Sequence, residues 1–306
     1  MSASRAPLPP DGRPRLLAAA DVEAVFLPGL GMLGASLRHR GVELLRRVDD
    51  LAAAAATGST AGIPLLHPWA NRLGETRYRA AGKEVALNAG SPLLHFDDQG
   101  LPMHGVPWSR LDWDVVEASS DLIRARLAWD RPERLQVFPF PHLLEMAVGL
   151  SASSLTIETT LRAGQGGPVP VAFGFHPYFG LAGSRSDWRL ELPAMQRLSL
   201  DARRLPDGRS SPVPAFACAL GGRAFDDGFA IDGGGAVFAI SAGGRRIAVA
   251  LLDGYEYAQV YAPADKDFIA FEPMTAPTNA LASGHGLTVL PAGGRYRAVF
   301  RIEVTP

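Results

Sequence analysis

The sequence predicts an all-β protein built as a large β-sandwich, and three observations lead there. The 33 glycines and 25 prolines recur every few positions, too often for long helices. Eight segments, residues 23–27, 114–117, 122–129, 143–150, 155–162, 245–252, 257–261 and 296–304, show the two-residue alternation or short apolar runs of strands. Turn signals stand between them, at Pro206-Asp207-Gly208, Gly233-Gly234-Gly235 and Gly293-Gly294. The alanine run 52–56 is the helix candidate, read as a short helix or a loop. No linker, fixed-period repeat or long low-complexity tract interrupts the 306 residues, so the expectation is a single domain, 1–306.

Composition narrows the function classes. Apolar residues are 47% of the chain and charged residues 20%, which suits a chain that folds rather than a disordered one. Thirty basic and thirty-one acidic side chains nearly cancel, and no long basic run offers the phosphate-neutralising surface of a nucleic-acid binder. The expected partner is a neutral or weakly charged small molecule, with no nucleic acid and no membrane. The single cysteine, Cys218, excludes an internal disulfide and any multi-cysteine metal site. The first 26 residues lack the charged, apolar and cleavage regions of a signal peptide. The low-polarity stretch 51–66 is broken by Gly58, Gly62 and Pro64. A cytoplasmic monomer or homodimer is expected.

Five clusters could carry chemistry. In the first, residues 64–73, an apolar segment ends in Pro68-Trp69 and then Asn71-Arg72. Arg72 there either anchors a hydroxyl-bearing ligand through its donor fork or forms a surface ion pair. The second is His104-Gly105, with Trp108 and Trp113 close behind. It reads as an imidazole donor beside aromatic faces for a ligand, or as a turn histidine beside core tryptophans. The third sets His176 among aromatics, with Pro177, Tyr178 and two glycines nearby, which suggests a cavity with polar groups on its wall. In the fourth, Glu272 ends the apolar run 268–271. A carboxylate so placed must be paired or carry a raised pKa, and it is the best general-base candidate in the chain. The fifth, Phe225-Asp226-Asp227-Gly228-Phe229, reads as an acidic turn. The other histidines, His39, His67, His95, His142 and His285, show no metal-ligand spacing and are expected in structural or surface roles.

Taken in this order, the clusters resemble the aldose 1-epimerases, or galactose mutarotases. Asn71-Arg72 is similar to the family's Asn-Arg pair, and His104-Gly105 to its His-Gly. His176, Tyr178 and Phe179 match its His-x-Tyr-Phe, and Phe225-Asp226 its Phe-Asp step. Glu272, ahead of Asn279-Ala280, matches its glutamate. Gly180 stands where the family's asparagine usually does. The resemblance implies a large antiparallel sandwich of the galactose mutarotase type and no cofactor or metal. It implies that Glu272 takes the proton from the anomeric hydroxyl while His176 protonates the ring oxygen. Asn71, Arg72, His104 and Asp226 would bind the sugar. A carboxylate and an imidazolium with unperturbed pKa values near ~4.3 and ~6.5 would coexist near neutral pH. A hexose-6-phosphate epimerase and a non-catalytic carbohydrate-binding protein remain the alternatives.

Overall fold

The alternating segments pair into two large sheets that face each other. The computed structural model describes residues 13–46, 48 and 50–306. All eight segments fall inside observed strands, each end within one residue of the expectation. The nine-stranded sheet runs Phe216–Ala219, Arg189–Leu192, Val237–Ala242, Arg245–Asp253, Arg295–Thr305, Ser154–Ala163, His142–Leu150, Leu122–Trp129, Asp114–Ala118, with neighbours antiparallel. In the eight-stranded sheet, Pro206–Val213, Met195–Leu200, Phe225–Ala230, Tyr257–Ala262, Ile269–Met274, Gly174–Phe175 and Leu65–Leu66 follow in order. Tyr178–Phe179 pairs with Ile269–Met274 off that path. A four-stranded antiparallel sheet from residues 15–43 packs beside them.

The strand alternation sets which side chains meet. His142–Leu150 points every second residue inward, with Leu144, Met146 and Val148 buried, and its neighbours do the same. Phe300 of the nine-stranded sheet meets Phe175 of the other at 5.1 Å between ring centroids, and Phe238 meets Phe271 at 5.8 Å. These contacts join the sheets through one cluster of buried apolar side chains, as in a face-to-face sandwich.

Local turn signals were overridden in two places. Pro206-Asp207-Gly208 is no turn but opens the strand Pro206–Val213, which lies at the edge of its sheet, where proline is tolerated. Residues 225–229 also form a strand, Phe225–Ala230, held by pairing on both sides. Their acids find partners across the sheet, Asp226 in Gln259 and Asp227 in Arg197. The alanine run becomes a helix, Leu51–Thr57, capped by Asp50, whose carboxylate accepts from Ala53 N, and ended by Gly58. Two short helices were not anticipated, Pro132–Val137 and Ala280–Ser283. Among the described residues no helix is long and apolar enough to cross a membrane.

Candidate functional site

Strand register brings the acid and the base together. Gly174 pairs with Met274, and Tyr178 with Ala270, so His176, in the break between those two short strands, stands level with Glu272. The backbones approach closely because residue 174 is glycine; a Cβ there would lie 2.6 Å from the Pro273 carbonyl oxygen. His176 Nε2 lies 3.1 Å from Glu272 Oε1, and the two residues are 4% and 2% exposed. Both line a cavity of about 820 Å³. Within the protein, Glu272 Oε2 and His176 Nδ1 have no hydrogen-bond partner among the described residues.

Burial moves the two groups in opposite directions. Desolvation raises Glu272 well above the usual carboxylate range; the nearby Asp226 charge adds to this and Arg72 opposes it. Desolvation also lowers His176 well below the usual imidazole range, helped by His104 and Arg46. The sequence-based picture of an ordinary carboxylate beside an ordinary imidazolium is therefore corrected. At 3.1 Å from each other, both groups are driven by burial towards their neutral forms.

Asn71, Arg72 and His104 are fixed by a clamp of two loops. His104 N donates to Asn71 O, Leu73 N to Pro102 O, and Val106 N to His67 O. Asn71 and His104 both take left-handed backbone, with φ of 59° and 61°. The following Gly105 (φ 68°) has no room for a side chain, because a Cβ would meet His67 O at 2.4 Å. His104 Nδ1 accepts from Asn71 N, which leaves Nε2 as the donor on the cavity side. Burial, with help from His95 and Arg72, pushes His104 down to about 3, so the ring stays neutral.

Arg72 is no surface ion pair. Its Nε lies 2.7 Å from Asp97 Oδ2, with the two side chains 6% and 4% exposed, and its Nη1 donates to Asn71 Oδ1 at 3.1 Å. Burial pushes Asp97 up, but hydrogen bonds from Leu101 N, Arg72 and Gln99 N outweigh it and hold the carboxyl below its usual range. Asp226 Oδ1 accepts from Gln259 Nε2 at 2.7 Å, and both residues line the cavity. All six sequence-derived candidates thus border one cavity.

Several assignments change. Trp108 and Trp113, read either as faces for a ligand or as core residues, prove to be core: each is 2% exposed, and Trp108 Nε1 donates to Ser59 O. The cavity's aromatic walls are Tyr178, Phe225, Tyr261 and Phe268. His95, expected to be structural or superficial, lines the cavity, and Gln259 was missed altogether. A buried glutamine inside an otherwise apolar strand, Tyr257–Ala262, was the available signal. His67 and His142 are structural, bonded through their Nε2 atoms at 3.0 Å in the core. Among the described residues no group of three or more His, Cys, Asp or Glu is placed to hold a metal ion.

Comparison with known proteins follows the same lines. The model of the aldose 1-epimerase family matches residues 33–303. The uncharacterized protein YihR of Escherichia coli K12 is 25% identical over 259 residues, covering 78% of this chain and 80% of its own. A galactose mutarotase-like protein of Clostridium acetobutylicum superposes with a TM-score of 0.82 at 18% identity, covering 95% of this chain and 94% of that one. A GalM/aldose epimerase homologue from C. elegans gives 0.79 at 17%, covering 96% and 99%.

Proposed function

The chain belongs to the aldose 1-epimerase family, and from that premise we propose that it interconverts the α and β anomers of a free aldohexose by acid–base ring opening. One observation carries this reading: the Glu272 carboxyl and the His176 imidazole, 3.1 Å apart at Oε1 and Nε2, sit on the wall of a cavity large enough for a sugar.

The chemistry asks for that arrangement. Opening a pyranose breaks the C1–O5 bond, removing a proton from O1 and delivering one to O5. Both oxygens are bonded to C1, so the base and the acid must lie side by side. Glu272 takes the O1 proton and His176 donates to O5. The aldehyde then turns about C1–C2, and the ring recloses with the two roles exchanged. The pair ends as it began, with one proton. Arg72, held rigid by Asp97 and Asn71, and the His104 Nε2–H donate to sugar oxygens, while Asp226, steadied by Gln259, accepts from a hydroxyl. Asn71 sets the pose of both Arg72 and His104.

A phosphorylated hexose is the second reading, favoured by Arg46, Arg197 and Arg204 around the cavity. Arg197 is engaged by Asp227, and Arg204 lies 3.5 Å from Asp98. The test is the optical-rotation decay of freshly dissolved α-D-glucose and α-D-galactose with and without the protein, repeated with added inorganic phosphate. Faster decay that phosphate leaves unchanged supports the free-sugar reading. No acceleration on either sugar overturns it, and sugar binding without anomer exchange would make the protein a binder.

A further inference from the structure

Arg72 reaches the sugar cavity from a loop, residues 71–74, that is bonded along both edges. Along one edge His104 N donates to Asn71 O and Leu73 N to Pro102 O. Along the other, Asn279 bonds the peptide groups on either side of Leu73. Its N–H donates to Arg72 O at 2.9 Å, and its Oδ1 accepts from Gly74 N at 2.8 Å. One residue thus does what a neighbouring strand would do, offering a donor and an acceptor to a single run of backbone. Arg203 Nη2 adds a bond to Gly74 O.

The local structure turns Asn279 to this task. It stands at the N-cap of the helix Ala280–Ser283, where an asparagine side chain ordinarily accepts from its own helix, yet it makes no such bond. Its backbone is left-handed, with φ of 67° and ψ of 14°, instead of the extended form usual for a cap, and the amide meets Gly74 instead of the helix. Asparagine is among the few residues that take this conformation readily, and it brings an acceptor of the right reach. Gly74 is fitted closely in return: a Cβ there would lie 3.2 Å from Asn279 Oδ1 and 3.1 Å from Leu205 Cδ1. Asn279 and Gly74 border an open groove apart from the sugar cavity, so Asn279 acts through the loop and not on a sugar.

We propose that Asn279 is a positioning residue, which fixes Arg72 relative to Glu272 and His176 by clamping the Arg72 loop to the chain that leaves Glu272. The proposal rests on the epimerase reading, in which Arg72 holds the sugar while the pair works. Glu272 lies on the strand Ile269–Met274, and residues 275–279 run from its end to the Arg72 loop. Thr275 pins the start of that run, donating from both N and Oγ1 to Phe173 O, just upstream of His176. Asn279 pins its end. The acid, the base and the arginine are thereby joined through one short backbone run held at both ends. The Arg72 side chain is tied separately, by Nε to Asp97 and by Nη1 to Asn71. Those bonds set the direction of the guanidinium; Asn279 sets the point from which it starts.

The test measures kcat and KM for mutarotation of α-D-glucose and α-D-galactose in wild type, Asn279→Gly and Asn279→Asp. Asn279→Gly keeps the left-handed backbone and the N–H but removes the acceptor, so a sugar must order the loop that the amide had held. KM should rise about three- to tenfold, the worth of one hydrogen bond, with kcat within about twofold. Asn279→Asp keeps the acceptor and tolerates the backbone, and should return KM to within about twofold of wild type. An unmoved KM in folded Asn279→Gly, a loss carried by kcat, or no recovery with aspartate would overturn the proposal. Should Asn279→Gly fail to fold, Asn279→Ser, whose hydroxyl falls short of Gly74 N, takes its place with the same outcomes required. NMR of the Arg72 Nε–H gives a readout apart from turnover: its signal must shift in Asn279→Gly and return in Asn279→Asp. An unmoved signal sinks the proposal. A signal that moves in a protein active on neither sugar upholds the positioning of Arg72 and fails the epimerase reading alone.

Discussion

Replacing Glu272 with glutamine isolates the base with little disturbance of the fold. The side chain keeps its size in a site that is 2% exposed, and an amide can still hydrogen-bond His176 Nε2 across the 3.1 Å gap. What it cannot do is accept the O1 proton. General-base catalysis is worth about 10² to 10⁴ in rate, or roughly 2.7 to 5.5 kcal/mol of barrier at 1.36 kcal/mol per decade. The loss belongs at the upper part of that range, because burial raises the basicity of Glu272 towards that of the hydroxyl it deprotonates. Removing a desolvated carboxyl leaves no buried charge behind, so the thermal midpoint should hold or rise. The assay is polarimetric: decay of α-D-glucose and α-D-galactose rotation, scored as kcat and KM, with circular dichroism to confirm folding. A folded Glu272→Gln protein that mutarotates at the wild-type rate would refute the assignment.

Three further outcomes follow from the same geometry. The rate–pH profile should be bell-shaped: below the acid limb His176 takes up a second proton, and above the alkaline limb the pair loses its only one, so a flat profile from mildly acidic to mildly alkaline pH would count against a one-proton pair. Arg72→Ala leaves the Asp97 carboxylate buried without its cation, which should cost about 3 to 5 kcal/mol and lower the thermal midpoint on the order of 10 °C by calorimetry. Asp97→Ala added to it should recover part of that, and independent, additive losses would show the pair is not coupled. Acid should destabilise the fold from about pH 6.5 downward, because buried His67, His142 and His176 resist protonation while their unfolded forms accept it. For His142, held at about 4, the loss by pH 5.5 is roughly 1.4 kcal/mol, and a midpoint independent of pH between 7 and 5.5 would contradict it.

How far the sequence foretold this protein depends on what its local signals measure. Period-two alternation reports a face, and faces survive folding, so all eight strand segments were legible. Turn chemistry reports only what a peptide would do alone. Asp226-Asp227-Gly228 lost to ladder pairing with Tyr261, Val260 and Gln259. The six candidate residues, which the structure sets around one cavity, were picked out through the order of five motifs, each weak by itself. His95 and Gln259 carried no motif, and reached the cavity through pairings far along the chain, His95 O with Met103 N and Gln259 opposite Glu272. The tryptophans stayed open between two readings because size and amphipathic character suit a sugar platform and a core equally well. Burial depth, which separates the two, is a tertiary fact.

The opposed pKa shifts bear on why burial does not disable the site. Desolvation alone would strip the charge from either group, since it penalises carboxylate and imidazolium alike. An isolated buried histidine would stop being an acid, and an isolated buried glutamate would stop being a base. Placed 3.1 Å apart, they can meet that penalty together, since a neutral pair and an ion pair holding one proton differ only in which group carries it. Burial favours the neutral form. A sugar whose O1 donates towards Glu272 and whose O5 accepts from His176 favours the charged form, because its polar oxygens take the place of the water that burial removed. In the proposed reaction the shifts would hold the reactive charges in reserve until a sugar is bound. Arg72 and Asp226, one of each sign and each tied to a partner, can then sit close by without fixing the proton on either side.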